Sequence, residues 1–223
     1  PQQEIKLGDL GINSMFIKTR DIDKTFNRLK KLNENILTEI NQEPDSKKSF
    51  YLKDPYDNIL RIKEFDSWYS DNGNDTGGTY GCLIGVSNID KSLKLYSEIL
   101  GYDQIIYDKT GDFSDFKGLP NGDCKFRRIL LSHKPDRKGG FSKLFGDSQI
   151  ELIQNLDKKP KKIFADRYWG DIGFIHLCFD IRNMKALTKE CANKGFPFRV
   201  LSSESFDMGD ANGHWGYIED CDG

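Results

Sequence analysis

One local pattern occurs three times in this chain and constrains its fold more than any other feature. A short β-prone run passes into a polar junction, and an amphipathic helical segment follows. The junctions align as Arg20-Asp21-Ile22-Asp23-Lys24, Ser87-Asn88-Ile89-Asp90-Lys91 and Arg182-Asn183-Met184-Lys185. Asp and Asn side chains accept hydrogen bonds from first-turn amides, so each junction reads as a helix start. Past Asp21, the apolar residues Ile22, Phe26 and Leu29 fall on one helix face. Past Asn88 that face holds Ile89, Leu93, Tyr96 and Leu100, with Gly101 where a helix end favours glycine. Past Asn183 it holds Met184, Leu187 and Cys191, closed by Gly195.

The same plan extends to the strands. In the first unit, Ile12 to Thr19 precedes the helix, and Ser49 to Lys53 and Ile59 to Glu64 follow it, joined by the turn Asp54-Pro55-Tyr56-Asp57-Asn58. The second unit runs from Tyr80 to Val86, then Tyr102 to Asp108, Lys125 to His133 and Ser148 to Gln154. The third has strand-like runs at 174–180, Phe196 to Leu201 and His214 to Ile218, and ends in the turn Glu219-Asp220-Cys221-Asp222-Gly223. The order is β-α-β-β-β, three times, at a period of about 70–90 residues. The Ser, Asp, Asn and Gly clusters of 67–79 form the best linker in the chain. The units are therefore 1–66, 80–155 and 170–223.

Charge and cysteine usage narrow the function classes. Charged residues make up 30% of the 223 residues, both signs are interspersed, and the formal net charge is -2, so no basic face marks a nucleic-acid partner. No apolar run approaches the roughly 18 residues of a membrane span, and no signal-peptide pattern opens the chain. The five cysteines, at 82, 124, 178, 191 and 221, lack metal-type spacing. Their odd number suits reduced thiols and a cytoplasmic location.

At these junctions and turns the chain resembles the vicinal oxygen chelate superfamily, which comprises glyoxalases, bleomycin-resistance proteins and dioxygenases. The resemblance rests on the strand, junction and helix ending Leu100-Gly101-Tyr102, and on the closing turns at 54–58 and 220–223. It covers nearly the whole chain at superfamily level. It implies an α+β fold of repeated βαβββ modules, two of which pair into a cup-shaped, mostly antiparallel sheet with the helices outside. On that plan 80–223 is a cup of two modules (80–155 and 170–223). Residues 1–66 are then half of another cup whose partner precedes Pro1, and a closing strand follows Gly223. A homodimer is compatible with this plan.

The resemblance also places candidate ligands, since the family's metal-using members draw them from the first and fourth strands of each module. The first-strand position falls on Ser14, Gly81 and His176, and the fourth-strand position on Arg61 and Glu151. Alternation puts His176, Cys178 and Asp180 on one face and Ile175, Leu177 and Phe179 on the other. With the apolar set under the helices, His176 points into the cup, and Glu151 likewise faces away from Ile150 and Leu152. A histidine and a carboxylate there can hold Zn²⁺, Ni²⁺, Mn²⁺ or Fe²⁺ and leave positions open for a small oxygen-rich substrate. His176 and Glu151 are thus the expected metal ligands. Glu151, His214 and Tyr217 are the candidate catalytic groups, with His214 a general base near neutral pH. Trp169 and Trp215 are candidates to line the cavity, and His133 is expected at the surface.

Three functions compete. The first is a divalent-metal-dependent lyase, isomerase or dioxygenase. The second is a metal-free binding protein of the bleomycin-resistance kind, favoured by Gly81, Ser14 and Arg61. The third is a module protein serving assembly.

Overall fold

The structure, a computed structural model, describes residues 4–70, 72–134, 142–202 and 213–223. In chain order the first module contains β1 (Gly11–Thr19), α1 (Ile22–Lys31), β2 (Asn35–Ile36), β3 (Asn41–Gln42), β4 (Lys48–Lys53) and β5 (Ile59–Glu64). The second contains β6 (Thr76–Gly85), α2 (Ile89–Leu93) with a π-helical continuation (Lys94–Ile99), β7 (Gln104–Gly111), a 3-10 turn (Ser114–Phe116), β8 (Phe126–Ser132), α3 (Ser142–Phe145) and β9 (Gln149–Asn155). The remainder holds α4 (Met184–Asn193) and the short strands β10 (Val200–Leu201) and β11 (Gly216–Tyr217). Among the described residues, no helix is long and apolar enough to cross a membrane.

The helix starts follow from the capping side chains. Asp21, Asn88 and Asn183 accept bonds from the amides of Lys24, Lys91 and Ala186, satisfying donors that the first helical turn leaves open. The turn at 54–58 closes on Asp54, whose carboxylate takes the amides of Tyr56 and Asn58.

One nine-stranded sheet carries both modules, in the order β2-β4-β5-β1-β6-β9-β8-β7, with β3 pairing to β4. The first strand of each module runs parallel to its fourth, β1 to β5 and β6 to β9. The two modules join through their first strands, β1 antiparallel to β6, from Gly11 opposite Gly85 to Thr19 opposite Thr76. The fold is α+β, and each half of the sheet repeats the other about that central pair.

This pairing corrects the sequence-based plan, which joined 80–155 to 170–223. The partner of the second module is the first. The physical reason is ladder satisfaction: β1 and β6, nine and ten residues long, pair along nearly their whole length with three register shifts on the way. The segment 174–180 forms no strand, and among the described residues of the third module only β10 and β11 pair, as a separate two-stranded sheet. The linker expected to reach residue 79 is also shorter, because β6 begins at Thr76.

Strand alternation sorts the core into two sides. Phe16, Tyr51, Ile59, Tyr80, Leu83, Tyr107, Phe126, Leu130 and Ile153 share a concave interior that Phe116 and Leu119 roof over. On the outer side, Ile22 and Phe26 of α1 cover Phe50 and Ile62 of the first module. Ile89 and Tyr96 cover Cys82, Ile84, Ile129, Ile150 and Leu152 of the second. Phe174, Leu177 and Phe179 pack against this second outer cluster, so the third module lies on the convex face of the second. Its closing turn docks at the start of α2. There Asp222 accepts from the Ser87 amide at 2.8 Å, Asp220 accepts from the Tyr96 hydroxyl at 3.1 Å, and Cys221 meets Ser92 at 3.2 Å.

Gly81 sits where β1, β6 and β9 come closest. A Cβ there would collide with the Gln149 carbonyl oxygen and press on the Phe16 ring. Backbone cannot give way as a side-chain tip does, so Gly81→Ala is expected to cost about 3 kcal/mol, read as a lowered urea midpoint with unchanged slope.

Candidate functional site

The interior of the cup holds charge rather than a ligand space. Alternation along β5, β8 and β9 turns Arg61 and Lys63, Arg128, and Glu151 inward, while Leu60, Ile62, Ile129, Ile150 and Leu152 face the helices. Glu151 is the hub. Its Oε2 accepts from Arg61 Nη1 at 2.6 Å, and its Oε1 accepts from Arg128 Nε at 2.6 Å and the Tyr107 hydroxyl at 2.7 Å. Arg61 Nη1 also donates to Glu43 Oε2 at 3.2 Å and the Tyr51 hydroxyl at 3.4 Å. Arg128 Nη1 reaches both oxygens of Asp115 at 2.9 Å. Lys63 donates to Glu43 at 2.7 Å and Asp45 at 2.6 Å. Aromatic faces complete the shell, with Arg61 Cζ 3.5 Å from the Phe16 centroid and Arg128 Cζ 3.9 Å from that of Phe116.

Burial and charge compete at each group. Burial opposes ionisation of Glu151, but the Arg128 and Arg61 charges outweigh it and hold its carboxyl down at about 2. Glu43 also titrates below its usual range, because Arg61 and Lys63 overcome its burial. At Asp115 burial wins over Arg128 and lifts the carboxyl to about 6. The Tyr107 phenol is pushed far up, by burial first and the Glu151 charge second.

A divalent metal does not fit at Glu151. Both of its oxygens are engaged, by the Arg61 and Arg128 guanidinium groups and the Tyr107 phenol, and the opposing ligand position is occupied by Arg61 itself. Among the described residues, no group of three or more His, Cys, Asp or Glu could hold a metal ion. The expected pairing of Glu151 with His176 is also absent. Glu151 faces the concave interior, whereas the segment carrying His176 rests on the convex side, so the sheet separates them. Two fourth-strand positions do meet, but they are Arg61 and Glu151. Ser14 is fully buried as well, its hydroxyl without a partner among the described residues.

His176 lies elsewhere, in an exposed aromatic group. Its ring stacks on Trp169 at 5.1 Å and 16°. Tyr217 stands edge-on to both rings, 5.5 Å from Trp169 and 5.7 Å from His176. Trp215 is edge-on to Tyr217 at 5.6 Å. Trp169 remains 66% exposed, Trp215 43% and Tyr217 36%. His176, Tyr217, Trp169 and Trp215 are thus brought together. His214 is exposed nearby, outside these ring contacts. His133 is half-buried rather than at the surface, its Nδ1 2.7 Å from the Gly101 carbonyl oxygen and its ring against Tyr102.

Sequence reasoning missed Arg128, Tyr107, Glu43 and Asp115. Arg128 carried a signal, since it shares a strand face with Phe126 and Leu130 and an arginine there must find a buried partner. Glu43 and Asp115 sit in connections around β3 and at the 3-10 turn, where periodicity says nothing.

The family model described as glyoxalase/bleomycin resistance protein/dioxygenase superfamily matches residues 82–215, more than half of the chain. A putative dioxygenase from Bacillus subtilis subsp. subtilis str. 168 superposes with a TM-score of 0.51 at 14% identity, over 90% of this chain and 57% of that one. Glyoxalase I from Zea mays gives 0.42 at 16% identity, over 68% of this chain and 45% of its own length. A Streptomyces coelicolor methylmalonyl-CoA epimerase in complex with 2-nitronate-propionyl-CoA gives 0.34 at 16% identity, over 66% of this chain and 98% of that one. This chain therefore spans less than half the length of the maize protein. No curated protein sequence matches it.

The network makes two outcomes measurable. Glu151→Gln leaves Arg61 and Arg128 short of a charge partner inside the cup, and the loss in unfolding free energy is expected to be about 3–5 kcal/mol. Because the folded carboxyl sits at about 2 against an ordinary 4.5, the stability from ionised Glu151 is complete above about pH 4.5 and is lost as pH falls toward 2. Denaturant midpoints of the wild type should therefore drop steeply across that window, and the Glu151→Gln profile should be flatter there.

Proposed function

We propose, for a chain that belongs to the glyoxalase/bleomycin resistance protein/dioxygenase superfamily, that it binds a small planar organic molecule on the aromatic surface of its third module, without a metal ion at Glu151. The observation that carries this reading is the exposed group Trp169, His176, Tyr217 and Trp215. Large aromatic rings held in mutual contact yet open to solvent leave π-faces for a guest, each stacked ring contributing about 1 kcal/mol. A contiguous apolar surface of this kind marks an interaction site. Among the described residues, neither the His176 ring nitrogens nor the Tyr217 hydroxyl has a hydrogen-bond partner, so both can orient polar edges of the ligand. The filled interior of the first cup supports the same conclusion, because side-chain ion pairs stand where a ligand would enter.

A second reading keeps a divalent metal at His176, with ligands other than Glu151, in a lyase, isomerase or dioxygenase. The unpartnered imidazole favours it. A cytoplasmic location fits either reading, since Cys178 and Cys221 are free thiols at the surface.

Tryptophan fluorescence of the whole chain, titrated with planar aromatic carboxylates beginning with 2-naphthoate, tests the proposal. Saturable quenching is expected, weakened about fivefold to tenfold by Trp169→Ala and again by His176→Ala. If no probe in the series binds, or Trp169→Ala binds as tightly as wild type, the reading fails. Stoichiometric zinc, nickel, manganese or iron that His176→Ala abolishes would establish the second reading instead.

A further inference from the structure

The centre of the first cup has the chemistry of a cation site. Arg61 Nη1 is surrounded by oxygen: Glu151 Oε2 at 2.6 Å, Glu43 Oε2 at 3.2 Å and the Tyr51 hydroxyl at 3.4 Å. The Phe16 ring closes one side. Arg61, Glu43, Glu151 and Tyr51 are all buried. Glu43 Oε1 is also buried without a partner among the described residues, as are the guanidinium's own Nε and Nη2, so Arg61 meets these oxygens through Nη1 alone. These oxygens come from both modules, Glu43 and Tyr51 from the first and Glu151 from the second.

The surrounding charges show that a cation is needed at this point. Lys63 shares Glu43 with Asp45, and Arg128 shares Glu151 with Asp115. Without Arg61, two cations would face four carboxylates inside the cup. Carboxylate and phenol oxygens suit a hard divalent ion with a few retained waters. Removing the arginine side chain would leave a polar space, and polar space takes up water or ions where apolar space stays empty.

We infer that Glu43, Glu151 and Tyr51 form a cation site filled by the chain's own Arg61 guanidinium, and that this site takes up a hard divalent cation once that guanidinium is removed. Arg61 thereby makes the first cup independent of metal. The inference lies in the first cup and does not rest on the third module's aromatic surface.

The test uses the whole chain with Mn²⁺ as the probe. Arg61→Ala is measured beside Arg61→Gln, whose amide keeps hydrogen bonds to the carboxylates and protects the fold. Wild type should show the same melting temperature in EDTA and in manganese. Both variants should melt lower in EDTA. At manganese about a hundredfold above Kd they should regain about 5 °C or more, with one ion bound per chain by equilibrium dialysis. Adding Glu43→Gln to Arg61→Gln should abolish that response. The inference is overturned if neither variant gains manganese binding, if neither folds even with manganese present, if the gain survives Glu43→Gln, or if wild type itself responds.

Discussion

The structure depends on a single carboxylate held between two guanidinium groups. Glu151 comes from the last strand of the second module, Arg128 from its neighbour, and Arg61 from the first module across the central strand pair. A charge buried this deeply is tolerated only when opposite charge and hydrogen bonds meet it on every side. That demand spreads outward. Arg61 requires Glu43, and Arg128 requires Asp115, so the connections around β3 and the 3-10 turn are drawn over the mouth of the cup. A slip of one residue in β5 or β9 would turn these charges toward the apolar, helix-covered face, so the network also guards the register.

The same network changes the meaning of the family's ligand positions. Where the pattern calls for metal ligands, the first cup has Ser14, Gly81, Arg61 and Glu151. Gly81 is fixed by the close approach of the Gln149 backbone, and Arg61 brings the positive charge itself. The interior is therefore a polar core joining two modules. The aromatic surface of the third module is different in kind, since its rings face solvent and its imidazole and phenol are unpartnered among the described residues. The two regions lie on opposite sides of the sheet, and a functional role for one places no demand on the other.

Much of the fold was legible from local chemistry. Asp21, Asn88 and Asn183 announced three helices, Asp54 announced a turn, and alternation in 59–64 and 148–154 identified strands and their inward residues. Glu151 was correctly turned toward a cup. Its partners were not legible. Arg61 lies 90 residues away in the chain, and Glu43 and Asp115 sit in irregular segments without period. His176 was read as a strand residue because Ile175, Leu177 and Phe179 alternate with polar neighbours. Alternation describes what a strand would bury, but a strand forms only where another strand accepts its hydrogen bonds, and 174–180 has none among the described residues.

The sequence by itself determined the three helix starts, the turns and the β-α-β-β-β order of the first two modules, because capping, turn chemistry and periodicity act within a few residues. Only the tertiary structure decided which modules share a sheet, and hence which candidate residues meet. Three similar modules allow more than one pairing, and local pattern cannot rank them. The ranking comes from long-range terms: the long β1–β6 ladder, the glycine that lets β9 approach, and the buried Arg61–Glu151 ion pair that joins one module to the other.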